Sequence, residues 1–244
     1  LKRRRRVIKK ALVQKKFESV EIFYQKREKN FLSSLFDKYG SDKGSNLETG
    51  QVYDWLPNSY ADLYTFIFEN TRNDIKVVFE CGIGTNNPKL ASSMGIKGKP
   101  GASLRAWRDY FPNAEIYGAD IDRTILFQEK RISTGLMDQL DPTSIERFFE
   151  LVELTEIDIA IDDGLHTFSA ATTLFEYVFP LLSSNGVYII EDVHPYEIRK
   201  FIDFFNNSNI EMNYVIFTNR EGLPVGNLIW AWKDKYTNKH IHLK

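Results

Sequence analysis

The sequence predicts an α/β protein built on a mostly parallel sheet with helices covering both faces. Three observations carry this reading. Seven short runs rich in Val, Ile and Phe recur along the chain, and amphipathic stretches with helical spacing lie between most of them. Some runs, such as Ile157 to Asp162 and Gly186 to Glu191, are apolar at nearly every position, which suits strands buried on both sides.

In chain order, Val7 to Asp37 reads as one long helical pattern that stops near Tyr39-Gly40, where glycine can take the left-handed conformation that ends a helix. The strand runs are Lys76 to Cys81, Glu115 to Asp120, Lys130 to Thr134, Ile157 to Asp162, Gly186 to Glu191, Asn213 to Thr218 and Asn227 to Trp232. Helical patterns fall at Ser103 to Phe111, Thr143 to Leu154, Ser169 to Leu182 and Tyr196 to Phe205. No helix separates the last two strands, and the turn residues Glu221-Gly222-Leu223-Pro224 point to antiparallel pairing there.

At 244 residues with 43% hydrophobic and 14% aromatic positions, the chain is long enough for one globular domain with a substantial core. The division expected is a basic helical arm or linker over 1–37 and the main domain over 38–244. Residues 1 to 16 hold nine Lys or Arg and no acid, so the formal net charge of −1 conceals a body of 23 basic against 33 acidic residues. An acidic body argues against a nucleic-acid groove. The arm reads as a solvated linker or as an entry helix from an upstream domain, with a membrane-surface or polyanion contact as the alternative. The start at Leu1, without Met, allows for a piece of a longer chain. No run is long and apolar enough to span a membrane, and no secretory signal opens the chain, so the expectation is a cytoplasmic protein. A single cysteine excludes an intrachain disulfide and a cysteine-based zinc cluster.

In open parallel sheets, ligands bind beyond the carboxyl ends of the strands. Four of those ends are acidic: Glu80-Cys81-Gly82-Ile83-Gly84, Asp120-Ile121-Asp122, Asp162-Asp163-Gly164-Leu165-His166 and Glu191-Asp192-Val193-His194. The pair Gly82 and Gly84 would let backbone approach a nucleotide-like ligand, and Asp120 could hydrogen-bond ribose hydroxyls. Thr85, Asn86 and Asn87 follow instead of a third glycine, so the full dinucleotide fingerprint fails. Asp163, Glu191 and Asp192 would repel one another at adjacent strand ends, which a hard divalent cation such as Mg²⁺ or Ca²⁺ would relieve. Helix capping is the competing role for these acids. His166, three residues after Asp163, is placed to act as a general base beside the cation. Tyr53, Trp55, Tyr60 and Tyr64 are candidates for an aromatic wall of the site or for plain packing of the entry segment onto the sheet. Cys81 reads as a buried small residue, and His240 and His242 as solvated tail residues.

The sequence resembles the S-adenosylmethionine-dependent sugar O-methyltransferases of the macrocin and mycinamicin type, grouped with cephalosporin hydroxylase-like proteins, over roughly residues 35 to 200. The likeness rests on Tyr39-Gly40-Ser41-Asp42-Lys43, Ser59-Tyr60 with Tyr64, Glu80-x-Gly-x-Gly84 and Gly98-x-x-Gly101-x-Ser103. It continues through Gly118-x-Asp120, Asp138-Gln139-x-Asp141, Asp162-Asp163-Gly164-x-His166 and Glu191-Asp192-x-His194. It implies a Rossmann-like seven-stranded class I methyltransferase sheet with its last strand antiparallel. By the same likeness Glu80, Gly82 and Gly84 contact the methionine end of S-adenosylmethionine, Asp120 the ribose, and Asp138 and Gln139 the adenine side. Ser103 and Asp162 count as further cofactor contacts. Asp163, Glu191 and Asp192 hold Mg²⁺, His166 is the base, and a sugar or nucleotide-sugar hydroxyl is the acceptor. Asn58, where the family often has His, and Pro195-Tyr196-Glu197 depart from the pattern, so contacts there are expected to differ. Composition rich in Lys, Asn, Ile and Phe tilts the reading toward surface-glycan or polysaccharide biosynthesis. Three rivals stand beside it: a catechol-type phenolic O-methyltransferase, a nicotinamide-dependent oxidoreductase and a non-catalytic domain of the same fold. The particular sugar, the methylated position and the oligomeric state, homo-oligomer included, are not legible.

Overall fold

The computed structural model describes residues 30–45, 53, 55, 57–218 and 224–234. Residues 1–29 of the arm, residues 221–223 of the expected final turn, and His240 and His242 lie outside the described residues.

Among the described residues eight strands form one sheet: β1 (Val77–Cys81), β2 (Glu115–Asp120), β3 (Gln128–Glu129), β4 (Ile132–Leu136), β5 (Ile157–Asp162), β6 (Leu182–Ile190), β7 (Asn213–Thr218) and β8 (Pro224–Trp232). Their order is β3-β4-β2-β1-β5-β6-β8-β7. The pairs β4-β2, β2-β1, β1-β5 and β5-β6 are parallel, whereas β8 runs antiparallel to both β6 and β7. This is the class I methyltransferase sheet with one addition. The seven expected strands are present, and the eighth, β3, is a two-residue piece folded back antiparallel on β4 through Lys130 and Arg131, the latter in left-handed backbone. That turn also delays β4 to Ile132, two residues after the expected start.

Among the described residues six α-helices surround the sheet: α1 (Phe31–Tyr39), α2 (Tyr60–Phe68), α3 (Ala102–Tyr110), α4 (Pro142–Leu151), α5 (Phe168–Val178) and α6 (Ile198–Asn207). Residues 7–29 of the long helical pattern expected from Val7 to Asp37 lie outside the described residues; among those described, α1 begins at Phe31, and the extended Asn30 caps it, its side chain accepting the Ser33 N–H at 2.7 Å. Gly40, with φ +85°, closes α1 as expected. Leu32 and Phe36 on α1 are fully buried, so the boundary expected at residue 37 falls within a helix that packs into the main core.

Successive strand residues fall into two cores on opposite faces. Val78, Ile159 and Ile161 pack with α1, α2 and α3, whereas Phe79 and Ala160 pack with α4, α5 and α6. Two-sided burial explains the unbroken apolar runs. Burying a large side chain of this kind contributes roughly 1.5–3 kcal/mol, and it fixes the register that aligns the strand ends. Cys81 pairs with Ala119 and Asp162, and Asp162 with Ile190, so the residues after β2, β1, β5 and β6 open into one crevice. No helix among the described residues is long and apolar enough to cross a membrane.

Candidate functional site

A cavity of about 290 Å³ sits over that crevice. Its floor is the turn after β1, where Gly82 and Gly84 hold φ +86° and +87°. A Cβ on Gly82 would strike the Asp163 carbonyl, so only glycine lets the two strand ends approach. The Asp120 carboxylate fixes this turn by accepting the Ile83 N–H at 2.9 Å and the Asp122 N–H at 2.8 Å, and it also lines the cavity. Ser103, near the start of α3, lines the same wall. The loop after Gly84 folds back on itself: Met94 N–H bonds Thr85 O at 2.8 Å, and the Asn86 amide bonds Gly95 O and Gly98 O. Ser92, Ser93, Met94 and Lys99 thereby become cavity wall.

On the other side stand Asp163, His166 and Asp192, whose ligand atoms all lie within 4.8 Å of one another. His166 and Asp192 both adopt left-handed backbone, with φ +57° and +51°, a strained arrangement that turns their side chains toward Asp163. The His166 Nε2 is 3.2 Å from Asp163 Oδ1. Burial works against the charged ring, but Asp163 and then Asp192 outweigh it and push the His166 pKa up to about 9.

Behind these groups lies a feature the sequence reading assigned no role. Lys43 is buried, and its Nζ sits 2.5 Å from Asp163 Oδ2, 2.6 Å from Glu191 Oε2 and 3.7 Å from Glu80 Oε1. Burial acts to lower the lysine pKa, yet the three acids hold it well above its usual value, so it stays charged. Burial likewise pushes Asp163 up, and Lys43 with His166 brings it below the usual carboxylate value. Two phenols on one face of α2 complete the shell: Tyr60 OH donates to Asp192 Oδ1 at 2.5 Å, and Tyr64 OH donates to Glu191 Oε1. Burial raises both phenol pKa values, which keeps the donors protonated.

The residues expected at the site divide into two groups. Gly82, Gly84, Ser103, Asp120, Asp163, His166 and Asp192 line the cavity. Glu80, Asp138, Gln139, Asp162 and Glu191 are not among its lining residues, and each meets a neighbouring group. Glu80 is fully buried and accepts the Trp107 Nε1–H at 2.6 Å. The Gln139 amide donates to Asp162 Oδ1 at 2.6 Å and accepts the Leu165 N–H at 2.9 Å. Asp138 accepts the Leu140 N–H in a local turn, and both Glu191 oxygens are met by Lys43 and Tyr64. Of the four candidate wall aromatics, Trp55 reaches the cavity, and its Nε1–H bonds Asp42 Oδ2 at 2.8 Å. Tyr60 and Tyr64 serve the acids instead, and Tyr53 stacks on Trp55 and donates to Gly40 O. Asn58 lines the cavity beside Asp42. Cys81 is free and buried, with its thiol pKa raised by burial, as expected of a small core residue.

No protein-family model matches the chain. Among curated proteins it is similar to 8-demethyl-8-alpha-L-rhamnosyl tetracenomycin-C 2'-O-methyltransferase of Streptomyces olivaceus, with 32% identity over 162 residues. That match covers 66% of this chain and 37% of the relative. It is also 35% identical over 127 residues to mycinamicin VI 2''-O-methyltransferase of Micromonospora griseorubida, covering 52% of this chain and 29% of that one. The matched segment therefore spans about a third of these curated relatives. Among solved structures, MycE methyltransferase of the mycinamycin pathway, in complex with Mg and SAH, superposes with a TM-score of 0.61 at 24% identity over 89% of this chain and 58% of that one. The chain has the class I methyltransferase fold, and the sugar O-methyltransferase likeness read from its motifs is borne out by its relatives.

Proposed function

We propose that this domain is an S-adenosylmethionine-dependent O-methyltransferase that acts on a sugar hydroxyl with a divalent cation, Mg²⁺. The observation that carries the reading is one cavity with a glycine-floored, Asp120-bounded wall on one side and the Asp163, His166 and Asp192 cluster on the other. The named activities of the curated relatives support it. Gly82, Gly84, Ser103 and Asp120 are proposed to line the cofactor. Glu80, Asp138, Gln139 and Asp162, which already bind neighbouring groups, are proposed to brace that wall.

The donor set fits a hard cation: two carboxylates, Asp163 and Asp192, converge from adjacent strand ends. Glu191 is proposed as the third ligand, since each carboxylate oxygen has two lone pairs and can serve Lys43 or Tyr64 and a cation together. A bound cation would lower the pKa of an acceptor hydroxyl and offset the carboxylate field that holds His166 protonated.

Methyl transfer from a sulfonium is an in-line displacement: the acceptor oxygen forms the new bond to carbon as the carbon–sulfur bond breaks. The hydroxyl proton must leave in the same event, and His166 is the group beside Asp163 and Asp192 able to take it. Asp163 contacts the imidazole at Nε2, and Trp55 and Asn58, which also line the cavity, are proposed to hold the sugar. Relatives are named for sugars on tetracenomycin and mycinamicin, whereas the composition of this chain favours a surface glycan or nucleotide sugar. A panel of a rhamnoside, nucleotide sugars and a catechol, incubated with methyl-labelled cofactor and Mg²⁺, separates the readings. Label in a sugar and none in the catechol is expected, and label in the catechol alone would replace the sugar reading with the phenolic one.

A further inference from the structure

Lys43 lies on the turn after α1, far from the sheet in sequence, yet its ammonium touches the ends of three strands. It meets Glu80 of β1, Asp163 after β5 and Glu191 after β6, and it is 2% exposed. Holding a charge out of water is costly unless it is paired, so the placement needs a reason in the site. Three carboxylates at adjoining strand ends supply it, because without a positive charge they would force each other apart. Asp163 is the shared member. Its Oδ2 faces Lys43 and its Oδ1 faces His166, in the cluster proposed to hold the cation.

We infer that Lys43 is a positioning residue that keeps the acid cluster assembled while no cation is bound, and that it competes with the incoming cation for Asp163 and Glu191. The inference rests on the cation site proposed above. A purely structural ion pair makes the opposite forecast: losing it loosens the cluster, and cation binding weakens. Competition makes binding tighter, because removing the ammonium removes a like charge and frees carboxylate lone pairs. The ammonium thus gives a cluster that is formed in advance and a cation that remains exchangeable.

The test is calorimetric titration of the folded chain with MgCl₂, in wild type, Lys43→Met and Lys43→Arg. Methionine fills a similar volume without charge, and arginine keeps the charge. The expected result is at least tenfold tighter binding in Lys43→Met, about 1.4 kcal/mol, with Lys43→Arg close to wild type. Lys43→Met should also melt lower than wild type without cation and regain more on adding Mg²⁺. Equal or weaker Mg²⁺ affinity in Lys43→Met overturns the inference, as does absence of binding in every variant. If Lys43→Met does not fold, the double variant Lys43→Met/Glu80→Gln, which removes one buried acid and one buried base, is compared with Glu80→Gln, and the same tightening is required. S-adenosylhomocysteine titrated into the same samples reports separately on the proposed function. Normal binding of it without tightening for Mg²⁺ refutes the role of Lys43 alone, whereas its absence refutes the methyltransferase reading and leaves the Mg²⁺ comparison to be read on its own terms.

Discussion

Replacing Glu80 by glutamine should change how stability responds to pH. Burial pushes this carboxyl from 4.5 up to about 7, against the pull of Lys43. Between those values the folded protein holds the proton more tightly than the unfolded chain, so stability falls as pH rises through the window. At ~1.36 kcal/mol per pKa unit, the loss attributable to Glu80 is about 3 kcal/mol by pH 8. Glutamine keeps an acceptor for the Trp107 indole N–H, which lies 2.6 Å away, and cannot ionise. Urea unfolding of wild type and Glu80→Gln at pH 5, 6, 7 and 8 reads the difference directly, because every other titrating group is common to both. The stability of Glu80→Gln should gain on wild type as pH rises, by about 2.5 kcal/mol from pH 5 to pH 8. Parallel profiles would show that Glu80 is ionised throughout and would refute the raised pKa of this carboxyl.

His166→Ala should bind S-adenosylhomocysteine as wild type does and lose ~10²–10⁴-fold in turnover, measured by titration and by methyl transfer; comparable rates would remove His166 from the mechanism. EDTA, or Asp192→Asn, should abolish methyl transfer, with Mg²⁺ restoring activity after EDTA but not in the variant. Gly82→Ala should cost more stability than Gly84→Ala in a urea titration. Both impose ~1–2 kcal/mol of left-handed strain on a non-glycine residue, but only at Gly82 does the new Cβ meet backbone, that of Asp163, whereas at Gly84 it meets the flexible Met94 side chain.

The sheet was legible because two-sided burial leaves a trace in consecutive residues: Ile159, Ala160 and Ile161 are apolar since each faces a core. The acids at the strand ends were legible for a related reason, as a charge directly after such a run must lie where the sheet opens. Local punctuation was harder to read. Asn30 sits between two stretches with the same helical spacing, so its role as a cap was hidden, and a two-residue strand such as β3 has no period to detect. The support of the site was least visible. Tyr64 reaches Glu191 across 127 positions and Lys43 reaches it across 148, and spacing carries no sign of pairings that depend on how α2 and the turn after α1 settle on the sheet. An aromatic wall and plain packing were the two roles open to Tyr60 and Tyr64, and neither is the one they take, since both phenols donate to the acids. The need of three neighbouring carboxylates for a counter-charge was the one signal that could have singled out Lys43.

The most direct measurement is calorimetric titration of the protein, freed of bound cofactor, with S-adenosylhomocysteine. The account predicts micromolar one-to-one binding, weakened in Asp120→Ala. Absence of binding at millimolar ligand would contradict the proposed methyltransferase and leave a domain that keeps the fold without the cofactor.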